Sequence, residues 1–242
     1  MTAMSDELDL KINNFLYRFF DICSPRECTI CGERLSIDEE LICSPCNLHL
    51  PRTYFAETAY NNEMAQRFWG LMPIERAAAW VFYDPKSDAT SVILRMKYNN
   101  HPEYGEILGS LAAREFQPYH FFDSIDALIP IPLAPNRFKQ RGFNQSLEIA
   151  RGVQKVTQLP ILNNVIKRTV FKESQTHKTR SERNKNVEGV FQLCPEANIQ
   201  GKHILLIDDV VTTGATALSC GKELLKAGNV KISILSIGFT KG

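Results

Sequence analysis

The chain has 242 residues, which is room for one sizeable hydrophobic core or for such a core with a small additional module. Apolar residues make up 44% and charged residues 23%, which is typical of soluble globular proteins, and no internal repeat or low-complexity tract points to another class. With a net charge of +1, the bulk charge neither favours nor excludes a nucleic-acid partner, so any basic surface has to be local.

The N-terminal segment lacks the pattern of a secretory leader. Its first ten residues, MTAMSDELDL, are acidic where a leader is basic, and no unbroken apolar core follows them. Residues 12–22 are expected to form an amphipathic helix. Because no apolar run reaches about 20 residues, we expect no membrane span and a cytoplasmic protein with reduced thiols.

Four cysteines form two Cys-x-x-Cys pairs, Cys28 with Cys31 and Cys43 with Cys46, separated by eleven residues. This pattern lets four thiolates converge on one tetrahedral zinc ion. Two disulfides or four free thiols are the alternatives, and the absence of a secretory pattern favours zinc. Because sulfur would fill all four coordination positions, we expect the zinc to be structural and not catalytic.

The rest of the chain alternates between strand and helix patterns. Strands are predicted at residues 77–84, 126–132, 203–209 and 230–239, and helices at 87–98, 103–116, 143–157 and 217–228. This alternation predicts an α/β fold with a mostly parallel sheet, in which ligands bind outside the carboxyl ends of the strands. We expect two domains, with the N-terminal helix and zinc-binding module in residues 1–60 and the α/β domain in residues 61–242.

The most informative stretch is HILLIDDVVTTGAT, residues 203–216, where two aspartates follow a short apolar strand. The loop behind them precedes a helix that should begin near Ala215, and backbone amides at a helix start attract anions. The loop therefore predicts a cradle for a phosphate monoester, formed by Thr212, Thr213, Gly214, Ala215 and Thr216. Asp208 and Asp209 would accept hydrogen bonds from a sugar diol. The alternative for the two aspartates is a pair of helix caps or a solvated turn.

A second stretch, residues 129–146, places Arg137, Lys139 and Arg141 within five positions after a predicted strand. Arginine suits bidentate contact with phosphate, so this loop is a candidate anion site at a neighbouring strand end. A solvated basic loop ahead of a helix is the alternative. Lys97, near the end of a predicted helix, could reach a phosphate, but an isolated lysine there is more often a helix C-terminal charge.

The third stretch, residues 167–185, is rich in lysine and arginine and has little apolar periodicity, which predicts a mobile loop. Arg180 and Arg183 lie in this stretch. A loop that is merely solvated is the alternative.

The stretch at residues 203–216 resembles the signature of the type I phosphoribosyltransferases, which bind phosphoribosyl pyrophosphate (PRPP). The double Cys-x-x-Cys, the LRMKY segment at residues 94–98 and the RGFNQ element at residues 141–145 follow one another as they do in the ComF family, which includes competence-associated proteins. The resemblance covers residues 28–238. One departure is Lys178, where the family more usually has an apolar residue such as leucine.

The resemblance implies a type I phosphoribosyltransferase fold with a zinc-ribbon-like N-terminal module. It implies a pentosyltransferase that moves a phosphoribosyl group from PRPP to an acceptor, with Mg²⁺ and release of pyrophosphate. The implied residues are Asp208 and Asp209 for the ribose and for catalysis, the loop at residues 212–216 for the 5-phosphate, and Leu133, Ala134, Arg137, Arg141 and Lys97 for the pyrophosphate. Arg180 and Arg183 are implied for catalysis, as candidates for a lid that closes over the site and excludes water.

A second hypothesis is a binding protein that does not catalyse a reaction. ComF relatives are associated with DNA uptake and natural transformation, so the PRPP site would be regulatory and the basic loops would contact single-stranded DNA. Phe138 and Phe143 are interleaved with the basic residues as stacking partners would be. The resemblance then implies competence helicases or recombination proteins as partners.

Overall fold

The computed structural model describes residues 25–98, 101–169 and 190–241, with the side chains of residues 97 and 98 excepted. The chain divides into two compact units, Met1–Leu50 and Pro51–Gly242. The predicted domain boundary after residue 60 stays a prediction. The helix predicted at residues 12–22 lies outside the described residues. No helix in the described part of the chain is long and apolar enough to cross a bilayer.

The larger unit is built on a parallel sheet of four strands. They are β1 (Arg76–Phe82), β2 (Ala127–Pro130), β5 (His203–Val211) and β6 (Lys231–Phe239), in the order β1-β6-β5-β2. Each neighbouring pair is parallel. The central strands β5 and β6 are buried over most of their length, as expected of a sheet covered on both faces. The α/β class and the mostly parallel sheet that the sequence predicted are confirmed.

The four predicted helices lie close to their predicted positions, and the described residues form three further helices. In chain order the helices are α1 (Ser44–Leu48), α2 (Glu63–Gln66), α3 (Ser91–Tyr98), α4 (Pro102–Phe116), α5 (Pro135–Arg141), α6 (Gln145–Thr157) and α7 (Ala215–Leu225). The predicted ones are α3, α4, α6 and α7. Two short 3₁₀ turns, Asp88–Thr90 and Gln117–Tyr119, precede α3 and follow α4.

Two segments that the sequence predicted as loops are ordered elements. Pro135–Arg141 is α5, because Pro135 supplies the fixed φ of a first helical turn and Gly142 ends the helix at φ 79°. Residues 166–168 form β3 (Ile166–Arg168), which pairs antiparallel with β4 (Phe191–Leu193). The prediction of a loop from residue 167 was wrong at its first two positions, since pairing with β4 fixes them.

Helices α4 and α6 touch through glycines. A Cβ on Gly152 would overlap the carbonyl oxygen of Glu106, and one on Gly109 would overlap that of Ile149. The two backbones are therefore in contact, and α6 also packs against β2 and β5. This packing fixes the first turn of α6 beside the carboxyl ends of the strands.

The strand register brings three chain segments to one edge of the sheet. Phe82 at the end of β1 pairs with Phe239, and Pro130 at the end of β2 pairs with Ile207. The residues that follow β1 and β2 therefore lie level with the last residues of β5. This edge, the carboxyl edge, is where an α/β sheet binds its ligands.

Candidate functional site

A pocket of about 310 Å³ opens at the carboxyl edge of the sheet. Seven of the residues that the sequence predicted for binding line it: Leu133, Arg137, Arg141, Asp208, Asp209, Thr212 and Thr216. Seven further lining residues were not predicted as site residues: Tyr83, Ile131, Pro132, Gln145, Ser146, Arg168 and Val210. One pocket thus joins residues from the ends of three strands, a helix start and a hairpin.

The two aspartates lie within β5, which continues to Val211. Because β2 pairs with β5 only as far as Ile207, the end of β5 projects beyond that neighbour and both carboxylates line the pocket. Oδ1 of Asp208 accepts hydrogen bonds from the hydroxyl of Ser146 (3.4 Å) and from the amide of Asp209 (2.9 Å). Both carboxylates are half-buried, so a ligand can still reach them.

The loop of residues 212–216, here called the threonine loop, connects β5 to α7. Gly214 is the N-cap of α7 and has φ 79°, a conformation that favours glycine. A Cβ at this position would lie 3.2 Å from the ring of the buried Phe68. The loop therefore packs against Phe68 at Gly214, and the side chains of Thr212 and Thr216 line the pocket.

The structure separates the five residues predicted for the phosphate cradle. The hydroxyl oxygen of Thr213 accepts a hydrogen bond from the amide of Ala215 (3.4 Å), and its side chain is exposed. Neither Thr213, Gly214 nor Ala215 lines the pocket. Their predicted contacts with a phosphate stay predictions.

The predicted basic loop is helix α5, and its arginines share one face. Arg137 and Arg141 are four residues apart, so both side chains reach the pocket, whereas Lys139 does not line it. The guanidinium of Arg141 donates a hydrogen bond to Oε1 of Gln145 (3.0 Å). Ala134 is the N-cap of α5 and lies outside the pocket lining.

The RGFNQ element joins α5 to α6 through Asn144. The side-chain oxygen of Asn144 accepts from the amide of Ser146 (3.2 Å), and its nitrogen donates to the carbonyl of Ile131 (3.1 Å). This residue therefore caps α6 and ties the helix start to the end of β2. Gln145 follows it, is only 1% exposed, and has no acceptor for Nε2 among the described residues.

Arg168 is the cation that sequence reasoning missed, because it was assigned to a loop. It is half-buried and lines the pocket from β3. Burial lowers the pKa of its guanidinium, the positive charge of Arg137 lowers it further, and the carboxylate of Asp208 opposes both. The buried–exposed alternation of Ile166 and Lys167 is the only sequence signal that could have found this strand.

Other predicted residues cannot be placed in the pocket. Arg180, Arg183 and Lys178 lie outside the described residues. Lys97 belongs to the last turn of α3, and its side chain is not described.

The smaller unit brings the four predicted metal ligands together. The sulfur atoms of Cys28, Cys31, Cys43 and Cys46 all lie within 4.8 Å of one another, and those of Cys31 and Cys43 are 3.7 Å apart. Four sulfurs at about 2.3 Å from a tetrahedral zinc would be separated by about 3.8 Å, whereas a disulfide needs about 2 Å. None of the six described cysteines forms a disulfide. The cluster could hold a metal such as zinc.

The protonation of the cluster agrees with a cation site. Although burial raises the pKa of Cys28, hydrogen bonds from the backbone amides of Cys43, Cys31 and Ile30 lower it to about 6. Burial raises the pKa of Cys46, and its neighbouring cysteines raise it further. The backbone amides thus favour the thiolate form of Cys28, which is the form that binds a metal.

Comparison with curated proteins finds relatives over most of the chain, although no protein-family model matches it. Competence protein F of Haemophilus influenzae is 27% identical, with 86% of this chain and 94% of that protein covered. Competence protein ComFC of Bacillus subtilis is 26% identical over 83% of this chain and 72% of that protein. The resemblance to the ComF family is confirmed. DNA utilization protein YhgH of Escherichia coli K12, a further relative, is 24% identical over 86% of this chain and 87% of that protein.

Two solved structures are also similar to part of the chain. One is glutamine phosphoribosylpyrophosphate amidotransferase from B. subtilis in complex with ADP and GMP, with a TM-score of 0.37 and 17% identity over 56% of this chain. The other is an allosteric regulatory enzyme of purine biosynthesis, with a TM-score of 0.36 and 17% identity over the same share. This chain covers 26% and 25% of those two chains, about a quarter of their length.

Proposed function

We propose that the protein is a phosphoribosyltransferase-like protein that binds PRPP with Mg²⁺ and transfers its phosphoribosyl group, with release of pyrophosphate. The observation that carries this proposal is the meeting of three complementary groups in one pocket. Two carboxylates suit a ribose diol, the threonine loop suits a phosphate monoester, and the arginines of α5 suit a diphosphate. The pocket volume of about 310 Å³ is within the range of small-molecule sites.

Each group has a separate task in the proposed reaction. Asp208 and Asp209 accept hydrogen bonds from the two ribose hydroxyls and stabilise the positive charge that develops on the sugar when the bond from C1 to pyrophosphate breaks. Thr212 and Thr216 hold the 5-phosphate and so fix the position of C1. Arg137 and Arg141 bind the leaving pyrophosphate. Mg²⁺, bound mainly by PRPP oxygens and water, would neutralise its charge.

The names of the relatives support a role in the use of DNA. Two of them are called competence proteins and one a DNA utilization protein. We propose that this protein also acts in the use of DNA. We further propose that its four-cysteine cluster binds a structural zinc ion.

A second candidate function is a non-catalytic protein that binds single-stranded DNA in response to PRPP. The observation that favours it is Phe138, which is 49% exposed on α5 between the basic residues Arg137 and Lys139. An exposed aromatic ring flanked by positive charge is what a stacking platform for single strands requires.

The double change Asp208→Asn and Asp209→Asn tests the proposal. It keeps the side-chain shape and removes both negative charges, so PRPP affinity should fall partly while pyrophosphate release falls much further, because the charges act mainly in the transition state. Titration calorimetry measures binding, and pyrophosphate release is followed with nucleobases and single strands as acceptors. Asp123→Asn, at an exposed position before β2, is the control and should match the parent.

The outcomes separate the two candidates. Release by the parent and not by the double variant supports the transferase. Salt-sensitive binding of single strands without release for any acceptor supports the PRPP-responsive binding protein. If the double variant binds PRPP as tightly as the parent does, both candidates fail, because each places the ribose on these aspartates.

A further inference from the structure

Arg168 reaches the pocket from a short strand that hydrogen bonds hold in place. Its strand β3 pairs with β4, and the ladder is extended at one end by a hydrogen bond from the amide of Thr169 to the carbonyl of Val190 (2.8 Å). At the other end, the amide of Leu193 donates to the carboxylate of Glu223 on α7 (3.2 Å). The hairpin is thereby tied to the helix that carries the threonine loop at its start.

The side chain of Arg168 is directed by its strand position and by its neighbour. Residues alternate between the two faces of a strand, so Lys167 is exposed while Arg168 faces the pocket. The guanidinium lies 5.3 Å from the ring centre of Phe191, its partner in register. Such stacking orients the planar guanidinium and leaves its N–H groups for other contacts.

The charges around Arg168 are not balanced within the pocket. The pocket lining carries three guanidinium groups, those of Arg137, Arg141 and Arg168, and two carboxylates, those of Asp208 and Asp209. Burial lowers the pKa of Arg168, and the charge of Arg137, on a different element, lowers it further. Two guanidinium groups that converge on one pocket from different elements repel each other until an anion binds between them. An anion with two phosphoryl groups can give each guanidinium its own pair of oxygens.

We propose that Arg168 and Arg137 together bind the diphosphate group of the ligand, and that Arg168 makes the pocket prefer a ribose 5-phosphate that carries a diphosphate over ribose 5-phosphate itself. This inference rests on the proposed function, since it names further contacts in the same pocket. Arg168 is a specificity-determining residue that lies outside the threonine loop, α5 and the aspartates.

A consequence for the ligand-free protein follows from the same charges. Because burial and Arg137 already disfavour the charged guanidinium, Arg168→Met should not lower the thermal midpoint of unfolding in the absence of ligand. If Arg168 instead stabilised the fold, Arg168→Met would unfold at a lower temperature than the parent.

Binding of three ligands to three variants tests the proposal. PRPP, pyrophosphate and ribose 5-phosphate are each titrated, with Mg²⁺, into the parent, Arg168→Met, Arg168→Lys and the control Lys167→Met. Lys167→Met removes the same unit charge from the neighbouring position on the exposed face. Arg168→Met should weaken PRPP and pyrophosphate about ten- to a hundred-fold and leave ribose 5-phosphate within about threefold. Arg168→Lys should fall between, and the control should match the parent.

Each result decides the proposal. If the parent binds PRPP and Arg168→Met binds it equally well, the inference is overturned and the proposed function stands. Equal weakening of all three ligands also overturns it, because Arg168 would then act on the shared part of the ligands or on the fold. If Arg168→Met unfolds at a lower temperature, binding by Arg168→Lys decides instead. Weaker binding of PRPP and pyrophosphate with unchanged binding of ribose 5-phosphate supports the inference, and parental binding of all three overturns it. A parent that binds neither PRPP nor pyrophosphate overturns both the inference and the proposed function.

Discussion

Thr213 and Thr216 show how much the structure refines a motif at the scale of single residues. The sequence assigned both hydroxyls to a phosphate because both lie between a strand and a helix start. In the structure, the Thr213 hydroxyl meets the amide of Ala215, whereas Thr216 lines the pocket. The motif therefore located two residues of the pocket lining, but only the turn geometry at Gly214 distinguishes which hydroxyls face the pocket.

Thr216→Val should weaken PRPP and ribose 5-phosphate alike, because both carry the 5-phosphate. Valine has nearly the same shape as threonine, and a lost hydrogen bond to a charged group costs about 1.5–3 kcal/mol, or about ten- to a hundred-fold in affinity. Titration calorimetry measures the change. Thr213→Val is the comparison, and we expect a smaller loss there. Equal affinities for Thr216→Val and the parent would remove Thr216 from the phosphate site.

At the scale of elements, the fold followed from sequence more completely than the pocket did. The strands and long helices were predictable because their apolar runs and periodicities are local. The hairpin β3–β4 was not, since its two strands of three residues are separated by 22 positions and one of them is mostly basic. The same reason explains why the sequence did not predict Arg168, Gln145 and Ser146 as site residues. Strand pairing and helix packing place them in the pocket, and these long-range contacts leave no local pattern in the sequence.

The contact between α4 and α6 is an element-scale feature with a functional consequence. Gly152→Ala should lower the free energy of unfolding by about 1–3 kcal/mol, because the new Cβ overlaps a backbone oxygen of Glu106 that cannot rotate away. This cost outweighs the better helix propensity of alanine, worth about 1 kcal/mol. Denaturant unfolding measures it, with Arg114→Ala at an exposed position of α4 as the control.

The same substitution should also weaken PRPP binding, since α6 carries Gln145 and Ser146 at its first turn. Arg114→Ala should leave binding unchanged. A Gly152→Ala protein with parental stability would show that the two helices can separate without cost, contrary to their close contact.

At the scale of the whole molecule, each of the two units has its own source of stability. The larger unit has an apolar sheet buried on both faces, whereas the described part of the smaller unit buries few large side chains, among them Leu35, Leu41, Ile42 and Leu50. A module of that size usually needs a metal or disulfides in addition to its core. The four-cysteine cluster is the feature that can supply this stabilisation.

Cys43→Ser should therefore abolish zinc binding and unfold the smaller unit, because the binding free energy of structural zinc is largely folding free energy. Elemental analysis should give one zinc per chain for the parent and none for the variant. Limited proteolysis should cut the variant, and not the parent, within residues 25–50. Cys194→Ser, which changes a cysteine outside the cluster, should keep its zinc. A parent without metal and with both cysteine pairs oxidised would contradict the zinc assignment.

The larger unit should also lose stability in mild acid through protonation of His203. This residue is the first of β5, at the opposite end of the strand from the pocket. The ring is buried, and its nitrogens lie 2.8 Å from the Ser233 hydroxyl and 3.3 Å from that of Ser124. Burial lowers the pKa of His203 below its ordinary value of 6.5, and the charge of Arg76 lowers it further. The groups that face it are Arg76, Glu75, Lys231 and Asp126, whose carboxylate accepts from the His203 amide.

Because the folded pKa is below the unfolded one, the unfolded chain binds the proton more readily. The contribution of neutral His203 to stability is therefore fully present above about pH 6.5 and is lost as the pH falls towards the folded pKa. The free energy of unfolding, measured by denaturant at pH 7.5 and 5.5, should fall more for the parent than for His203→Gln, whose amide can still pair with both serines. Metal loss and carboxylate protonation affect both proteins equally, so the difference isolates the histidine. An equal decrease in the two proteins would mean that His203 does not titrate across the unfolding transition.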